Sequence, residues 1–139
     1  MSTEENKAVI RRIIEAMNSG NLAVADELIA TNYVYHGSAG QEFKGPEGFR
    51  QFMTMMRNAF PDVHLTLEDI VAEGDTVMHR SRIRGTFKGE IMGITPTGKQ
   101  IDMSLVTVSR FAGGKEAEAW QYADTLAMYQ QMGVAPPTG

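Results

Sequence analysis

The sequence contains no cysteine. This absence excludes a disulfide, a thiol nucleophile and a thiolate metal site. The sequence also lacks an apolar run long enough to span a membrane. Its first residues are polar and acidic, which is unlike a signal peptide. These absences predict a cytoplasmic protein that does not engage a membrane.

Basic residues are few and dispersed. Lysine and arginine number 13 against 17 aspartates and glutamates, which gives a net charge of -4. The exception to the dispersion is the alternating series Arg80, Arg82 and Arg84. A nucleic-acid binder needs a basic patch, so we expect no nucleic-acid partner.

The length of 139 residues predicts one domain over residues 1–139. The hydrophobic fraction of 42% is ordinary for a globular protein. Ten methionines suit the filling of irregular core gaps, and some could instead form a pliable wall around a bulky apolar ligand. Residues 135–139, which include two adjacent prolines, are expected to form a flexible tail.

Helical patterns dominate the first half of the chain. Ser2 and Glu5 have the spacing of a capping box, and apolar residues follow at helical intervals up to Met17. A short second helix is predicted over residues 22–29, and a short strand over Tyr33–His36. A third helix is predicted to begin at Gly45-Pro46 and to carry the apolar stripe Phe49, Phe52, Met53, Met56 and Phe60.

Alternating patterns dominate the second half. Strands are predicted over residues 63–68, 76–87, 101–111 and 118–124, followed by a helix that ends at Gly133. Helices followed by antiparallel strands indicate an α+β fold, in which a curved sheet around a helix would enclose a pocket. Arginines at 80, 82 and 84 must meet water or a partner, which places His79 and Ser81 on the inner face.

The segment 118–124 is the most informative stretch. Trp120, Tyr122 and Asp124 are two residues apart and share one face of a strand. The arrangement suits an aromatic-walled pocket with one carboxyl group at its edge. Asp124 also precedes a helical run, so a helix N-cap is the alternative explanation.

The three histidines differ in their predicted surroundings. His79 could hydrogen-bond Asp124 or an enolate, or it could be a core histidine satisfied by a neighbour. His36 ends a strand before a glycine-rich loop, where pocket rims often lie. His64 is expected to be exposed. No pair of histidines has metalloprotease spacing and no serine lies in a nucleophile elbow, so we expect no metal site and no serine hydrolase.

An ordered set of short segments resembles the SnoaL-like polyketide cyclase family, within the NTF2-like α+β cones. The segments are Tyr33–His36, Gly45–Phe49, Phe60–Asp62, Gly85–Gly98, Arg110-Phe111 with Gly114-Lys115, and Trp120, Asp124 and Gln130–Val134. This resemblance covers nearly the whole chain. Two departures lie in the last strand, where many relatives have His at the position of Ala119 and a second aromatic at that of Ala123.

The resemblance implies an intramolecular aldol ring closure without metal or cofactor. Asp124 would be the general acid/base, and a histidine supports this aspartate in some members of the family. The strand pattern, which turns His79 inward, makes His79 the candidate for this second catalytic role. The ligand would be a small, apolar, carbonyl-containing molecule, and the protein would dimerise through its sheet. The side chains expected to contact the substrate are Tyr33, His36, Phe52, Met56, Ser81, Met92, Trp120 and Tyr122. A ligand-binding protein without catalysis, and a ketosteroid isomerase-like or dehydratase-like enzyme, are the alternatives.

Overall fold

The computed structural model describes residues 2–136. The helices are α1 (Thr3–Ser19), α2 (Ala25–Leu28), α3 (Gly45–Ala59) and α4 (Thr125–Met132), and a 3-10 turn at Leu22–Val24 precedes α2. The strands are β1 (Ile29–His36), β2 (Glu42–Lys44), β3 (His64–Glu73), β4 (Thr76–Thr86), β5 (Gln100–Ala112) and β6 (Lys115–Ala123). Within the described residues, no helix is long and apolar enough to cross a membrane.

All six strands form one curved sheet in the order β2-β1-β6-β5-β4-β3. Strands β1 and β6 are parallel, and the other neighbours are antiparallel. Apolar residues of α1 and α3 pack against the inner face of the sheet. The predicted α+β architecture, with a curved sheet around helices, is confirmed.

The predicted helix starts agree with the local chemistry. The Ser2 hydroxyl accepts a hydrogen bond from the Glu5 amide at 3.1 Å, and the Glu5 carboxylate accepts one from the Ser2 amide at 3.2 Å. Helix α3 begins at Gly45 with Pro46 in its first turn, where the missing proline N–H leaves no bond unmade.

The region between α1 and α3 is more extended than the pattern predicts. Helix α2 has only four residues, and β1 begins at Ile29 rather than at Tyr33. Strand β2, in a segment without a predicted element, pairs with the end of β1. Pairing with β6 and β2 stabilises this region as a strand, and neither contact can be read from local sequence.

The two faces of β4 are as predicted. His79 is 9% exposed and Ser81 is fully buried, whereas Arg80 and Arg84 are exposed on the other face and Arg82 is partly exposed there. His64, at the start of β3, is also exposed as expected.

The prediction that Trp120 and Tyr122 lie on the inner face of β6 is wrong. Strand β6 carries one extra residue, Ala117, in a bulge opposite Arg110 and Phe111. Beyond this bulge Ala119 is buried, while Trp120 is partly exposed and Tyr122 is 60% exposed on the outer face. The small residues Ala119 and Ala123 therefore line the cavity, because the bulge reverses the alternation of the strand.

The expected tail at 135–139 falls mainly on residues 137–139, which lie outside the described residues. At 135 and 136 the chain has no regular secondary structure.

Gly89 fixes the loop after β4 against the end of α3. A Cβ atom at Gly89 would lie 1.9 Å from the Asn58 carbonyl oxygen, and the Gly89 amide donates a hydrogen bond to the Ala59 carbonyl at 3.1 Å. We predict that Gly89→Ala lowers the free energy of unfolding by about 2 kcal/mol or more, because the backbone must shift to relieve the clash.

Urea denaturation measures this loss. Gly40→Ala is the control, since no atom lies within 4 Å of its Cβ position and only its φ of +89° is unfavourable. We expect this control to lose about 1 kcal/mol. Equal losses in the two variants would contradict the packing argument.

Candidate active site

A cavity of about 150 Å³ lies between the inner face of the sheet and helices α1 and α3. Its wall is mainly apolar and includes Ile10, Ile14, Phe49, Phe52, Met53, Met56, Ile83 and Leu105. Phe52, Met56, Tyr33 and Met92, predicted to contact a substrate, all line it. An enclosed apolar space with few polar groups is typical of a small-molecule site.

The cavity wall extends to the carboxyl ends of the parallel strands β1 and β6. The wall there comprises residues of the 37–41 loop, Ala123 of β6 and the exposed side chain of Met92. The Gln41 side-chain amide lies 3.7 Å from the Met92 sulfur, so the two loops touch. We identify this edge as the mouth of the cavity.

A row of polar side chains crosses the inner face of the sheet. Gln121 on β6 pairs in register with Thr107 on β5, which pairs with His79 on β4. Opposed residues on neighbouring strands have Cβ atoms roughly 5 Å apart, so the three side chains are neighbours. Tyr35 donates a hydrogen bond to the Gln121 side-chain oxygen and extends the row to β1.

His79 lies in this row with an unsatisfied ring. Its Nδ1 has no hydrogen-bond partner among the described residues. Burial lowers the pKa of His79 to about 4, because the charged imidazolium loses its hydration. The neutral imidazole can therefore accept a hydrogen bond from a ligand, or donate one to it, across the physiological pH range.

Glu116 is a buried carboxyl group that the sequence patterns did not identify. It is 4% exposed and lines the cavity at the start of β6. Burial raises the pKa of Glu116 to about 7, and the neighbouring hydroxyls of Ser109 and Tyr33 only partly offset this rise. The Ser109 hydroxyl meets no partner at ordinary hydrogen-bond geometry within residues 2–136, so its contact with the carboxyl is weak.

Alternation along the strand conceals Glu116. Its even number groups it with Glu118 and Trp120, which lie on the outer face. The bulge at Ala117 reverses this parity and turns Glu116 inward. The Gly113-Gly114 turn two residues earlier signals a hairpin, but it does not signal a bulge.

The other predicted contact residues lie outside the cavity. His36, Trp120 and Tyr122 line a shallower groove on the outer face, which shares Gly37 and Gln121 with the cavity wall. The rings of His36 and Trp120 stack with centroids 5.5 Å apart. The His36 Nε2 lies 2.7 Å from the Glu118 carboxylate. Ser81 faces inward and is fully buried, but it is not part of the cavity wall.

Asp124 caps α4 and is exposed. Its carboxylate accepts a hydrogen bond from the Ala127 amide at 2.9 Å. It follows Ala123, which lines both the cavity and the outer groove, but Asp124 itself lines neither. His79 and Asp124 are therefore not brought together as a hydrogen-bonded pair. Among the described residues, no three His, Asp or Glu side chains converge in an arrangement that could hold a metal ion.

The sequence profile of the SnoaL-like polyketide cyclases matches residues 7–132 of this chain. The chain belongs to the SnoaL-like polyketide cyclase family. The cyclase fold is the NTF2-like cone that the resemblance implies, and both the family and the fold are confirmed.

Two aklanonic acid methyl ester cyclases are similar to this chain over most of their length. Aklanonic acid methyl ester cyclase DnrD from Streptomyces peucetius is 28% identical over 141 residues, which cover 99% of this chain and 96% of DnrD. The cyclase of the same name, DauD, from Streptomyces sp. strain C5 is 28% identical. The match covers 94% of this chain and 83% of DauD.

Solved structures of cyclases in this family share the fold. IdmH from Streptomyces antibioticus, a candidate polyketide cyclase, is 34% identical with a TM-score of 0.78, and the match covers 93% of this chain and 99% of IdmH. A SnoaL-like candidate cyclase from Jannaschia sp. CCS1 is 25% identical with a TM-score of 0.87, at 97% and 95% coverage.

Two buried titratable groups, His79 and Glu116, line the cavity, so the stability of the protein should depend on pH in a way that tests their burial. His79 has a folded pKa near 4, below its ordinary 6.5, so the unfolded chain binds more protons as the pH falls. Glu116 has a folded pKa near 7, above its ordinary 4.5, so the folded chain binds more protons over that range. Because of His79, the free energy of unfolding therefore decreases as the pH falls below 6.5. Because of Glu116, it decreases as the pH rises above 4.5.

We predict that two matched variants shift the pH dependence in opposite directions. Relative to wild type, His79→Gln should gain about 2 kcal/mol on going from pH 7.5 to pH 5, and Glu116→Gln should lose about 2 kcal/mol. Urea denaturation at the two pH values measures both changes. His64→Gln, on the exposed start of β3, is the control and should follow wild type. Shifts of the same sign in both variants would contradict the burial argument.

Proposed function

We propose that this protein closes a ring in a carbonyl-rich, apolar, polyketide-type substrate by intramolecular aldol addition, without a cofactor. The observation that carries the proposal is the apolar cavity with a short polar row of Gln121, Thr107 and His79 on one wall. The apolar wall would hold the hydrocarbon skeleton, and the polar row would orient its oxygen atoms. Membership of the family supports the reaction class.

The reaction needs one proton removed and one returned. A base takes the proton from a carbon beside a carbonyl, and the electron pair left on carbon forms a bond to a second carbonyl carbon. The oxygen of that carbonyl becomes an alkoxide and takes up a proton. Substrate and product are isomers, so the protein supplies orientation and proton transfer only.

His79 would stabilise the enolate in this scheme. Its ring lines the cavity, its Nδ1 has no hydrogen-bond partner within residues 2–136, and burial keeps the ring neutral. A neutral imidazole N–H placed beside an enolate oxygen donates a hydrogen bond as negative charge develops, which is electrostatic stabilisation of the transition state.

Asp124 would exchange the proton at the mouth. It follows Ala123 of the cavity wall, and the family resemblance gives it this role. In the present arrangement its carboxylate caps α4, so it would have to rotate away from the Ala127 amide to reach a substrate. The side chain is exposed, which leaves it room for that rotation.

Two variants of Asp124 separate chemistry from capping. We predict that Asp124→Asn lowers the rate of ring closure by roughly a hundredfold or more and leaves the unfolding free energy nearly unchanged. Asparagine caps helices as well as aspartate does, but it cannot transfer the proton. Asp124→Ala should lose the rate and also about 1 kcal/mol of stability.

The assay uses aklanonic acid methyl ester, because related cyclases are named for it. Liquid chromatography with mass spectrometry detects an isomer of unchanged mass. Full turnover by Asp124→Asn would show that Asp124 acts only as a cap. No turnover by the wild type on this ester would direct the search to other polyketide-type esters and diketones. If none of these is converted, the proposed reaction is wrong.

We also propose a homodimer formed through the outer face of the sheet. An apolar row crosses that face in register and consists of Val71, Met78, Val108 and Trp120. Val71 is 61% exposed and Met78 is 45% exposed. Val108 and Trp120 are partly exposed. A row of apolar side chains that reaches the surface of a sheet is favourable for association.

The flanking arginines pair with acids of their own chain. Arg80 lies 2.5 Å from the Asp69 carboxylate, and Arg82 lies 2.6 Å from that of Asp102. Arg84 lies 3.7 Å from the same Asp102 carboxylate. These arginines therefore do not need acids from a second copy, and the apolar row carries the proposed contact.

We predict that Met78→Glu weakens dimerisation by about tenfold or more, because each copy would place an unpaired carboxylate in the contact. Size-exclusion chromatography with light scattering over a range of concentrations measures the dimer. Leu126→Glu is the control, since Leu126 is 53% exposed on α4 and is not part of the apolar row. A wild-type protein that is monomeric at every concentration would exclude this dimer.

A further inference from the structure

Glu116 has no part in the reaction scheme above, although it is a titratable group in the wall of the cavity. It lies at the start of β6, whereas Gln121 and Ala123 lie near the end of that strand. A strand advances about 3.3 Å per residue, so the backbones of Glu116 and Gln121 are roughly 15 Å apart. The Glu116 carboxyl extends towards Ser109, which is two residues from Thr107 of the polar row on β5. The carboxyl therefore lies on the side of the polar row that is remote from the mouth.

In the part of the chain that the structure describes, hydroxyl groups adjoin the Glu116 carboxyl and no cation does. Tyr33 and Ser109 are both buried beside it, at 3% and 0% exposed. Arg57 is the cationic residue of the described cavity wall, and its guanidinium donates hydrogen bonds to the carbonyls of Met17 and Asn18, both at 3.1 Å. A buried carboxylate without a positive partner is costly, so the neutral acid is the favoured form below neutral pH.

A neutral carboxylic acid can donate a hydrogen bond, which a carboxylate cannot do. We propose that Glu116 is a specificity-determining residue that donates a hydrogen bond to a carbonyl oxygen at the buried end of the ligand. The proposal rests on the proposed function, because it takes the same cavity as the substrate site. It adds a requirement on the substrate, which must carry an acceptor oxygen at the end remote from the reacting carbons.

The geometry also indicates how the ligand would be oriented. The apolar residues of α1 and α3 contact its skeleton without a preference for either end. A single donor at the closed end would break that symmetry and place the reacting end beside His79 at the polar row. Burial raises the pKa of Glu116 to about 7, so this donor is present below neutral pH and is lost above it.

Three ligands of one shape test the proposal without any turnover. They are 2-acetylnaphthalene, which carries a ketone, 2-ethylnaphthalene, which carries none, and 1-(naphthalen-2-yl)ethylamine, which carries an ammonium group. Isothermal titration of the whole chain at pH 6 gives the dissociation constant of each. Glu116→Gln retains a donor, and Glu116→Leu removes it at similar volume.

We expect Glu116→Leu to bind the ketone about fivefold to tenfold more weakly than wild type, with unchanged or tighter binding of the hydrocarbon. Glu116→Gln should stay within about twofold of wild type for the ketone, because the amide also donates. The pH profile of Glu116→Gln keeps the proposal testable even if Glu116→Leu does not fold.

The pH dependence gives a second readout. Wild-type affinity for the ketone should fall between pH 6 and pH 8.5, and that of Glu116→Gln should not. The other titratable side chains of the described cavity wall are Tyr33, Tyr35, Arg57, His79 and Tyr129. They are common to both proteins, so the difference between the two profiles belongs to Glu116.

Three results would overturn the proposal. They are equal losses for ketone and hydrocarbon in Glu116→Leu, a ketone affinity with the same pH profile in wild type and Glu116→Gln, and a wild-type preference for the ammonium ligand. The last result would make Glu116 a cation site. Since these measurements need no ring closure, they can fail or succeed independently of the proposed reaction.

Discussion

One extra residue in strand β6 decides which chemistry the cavity contains. Ala117 forms a bulge opposite Arg110 and Phe111, so the strand changes the face it presents to the helices at that point. Before the bulge, Glu116 points inward; after it, Ala119 and Gln121 do so, and Trp120 stays outside. With a regular ladder, Glu116 and Trp120 would share one face of the sheet. The inner wall, the outer apolar row and the buried acid all depend on this single irregularity.

Desolvation then sets the charge state of the cavity. Burial disfavours both the cationic form of His79 and the anionic form of Glu116, and it shifts their pKa values in opposite directions. Both groups are therefore mainly neutral in mildly acidic solution. A neutral cavity with hydrogen-bonding groups suits a ligand whose polarity comes from carbonyl oxygens. An ionic ligand would need a fixed counter-charge, and the Arg57 guanidinium is already engaged by two backbone carbonyls.

Local sequence rules predicted the parts of this molecule that depend on local interactions. The capping box at Ser2, the start of α3 at Gly45 and the two faces of β4 follow from spacing and charge, and all three predictions are confirmed. The cavity wall contributed by Phe52 and Met56 also follows from a helical stripe. The faces of β6 could not be predicted, because a bulge is a property of the paired strands. Aromatic size misled the interpretation, since Trp120 packs against His36 on the outer face rather than in the core.

The positions of Asp124 and Glu116 favour different roles for the two acids. Asp124 is exposed at the start of α4 and can exchange protons with water, whereas Glu116 is buried and can exchange a proton only with a ligand or a neighbouring hydroxyl. Ring closure needs rapid proton exchange at the reacting carbons, which favours an acid at the mouth. Recognition needs a donor whose hydrogen bond is not shared with solvent, which favours an acid at the closed end. Ala119, a small residue on the inner wall between these two ends, leaves room for a ligand that spans both. A substrate held at one end and reacted at the other is therefore the arrangement that this cavity favours.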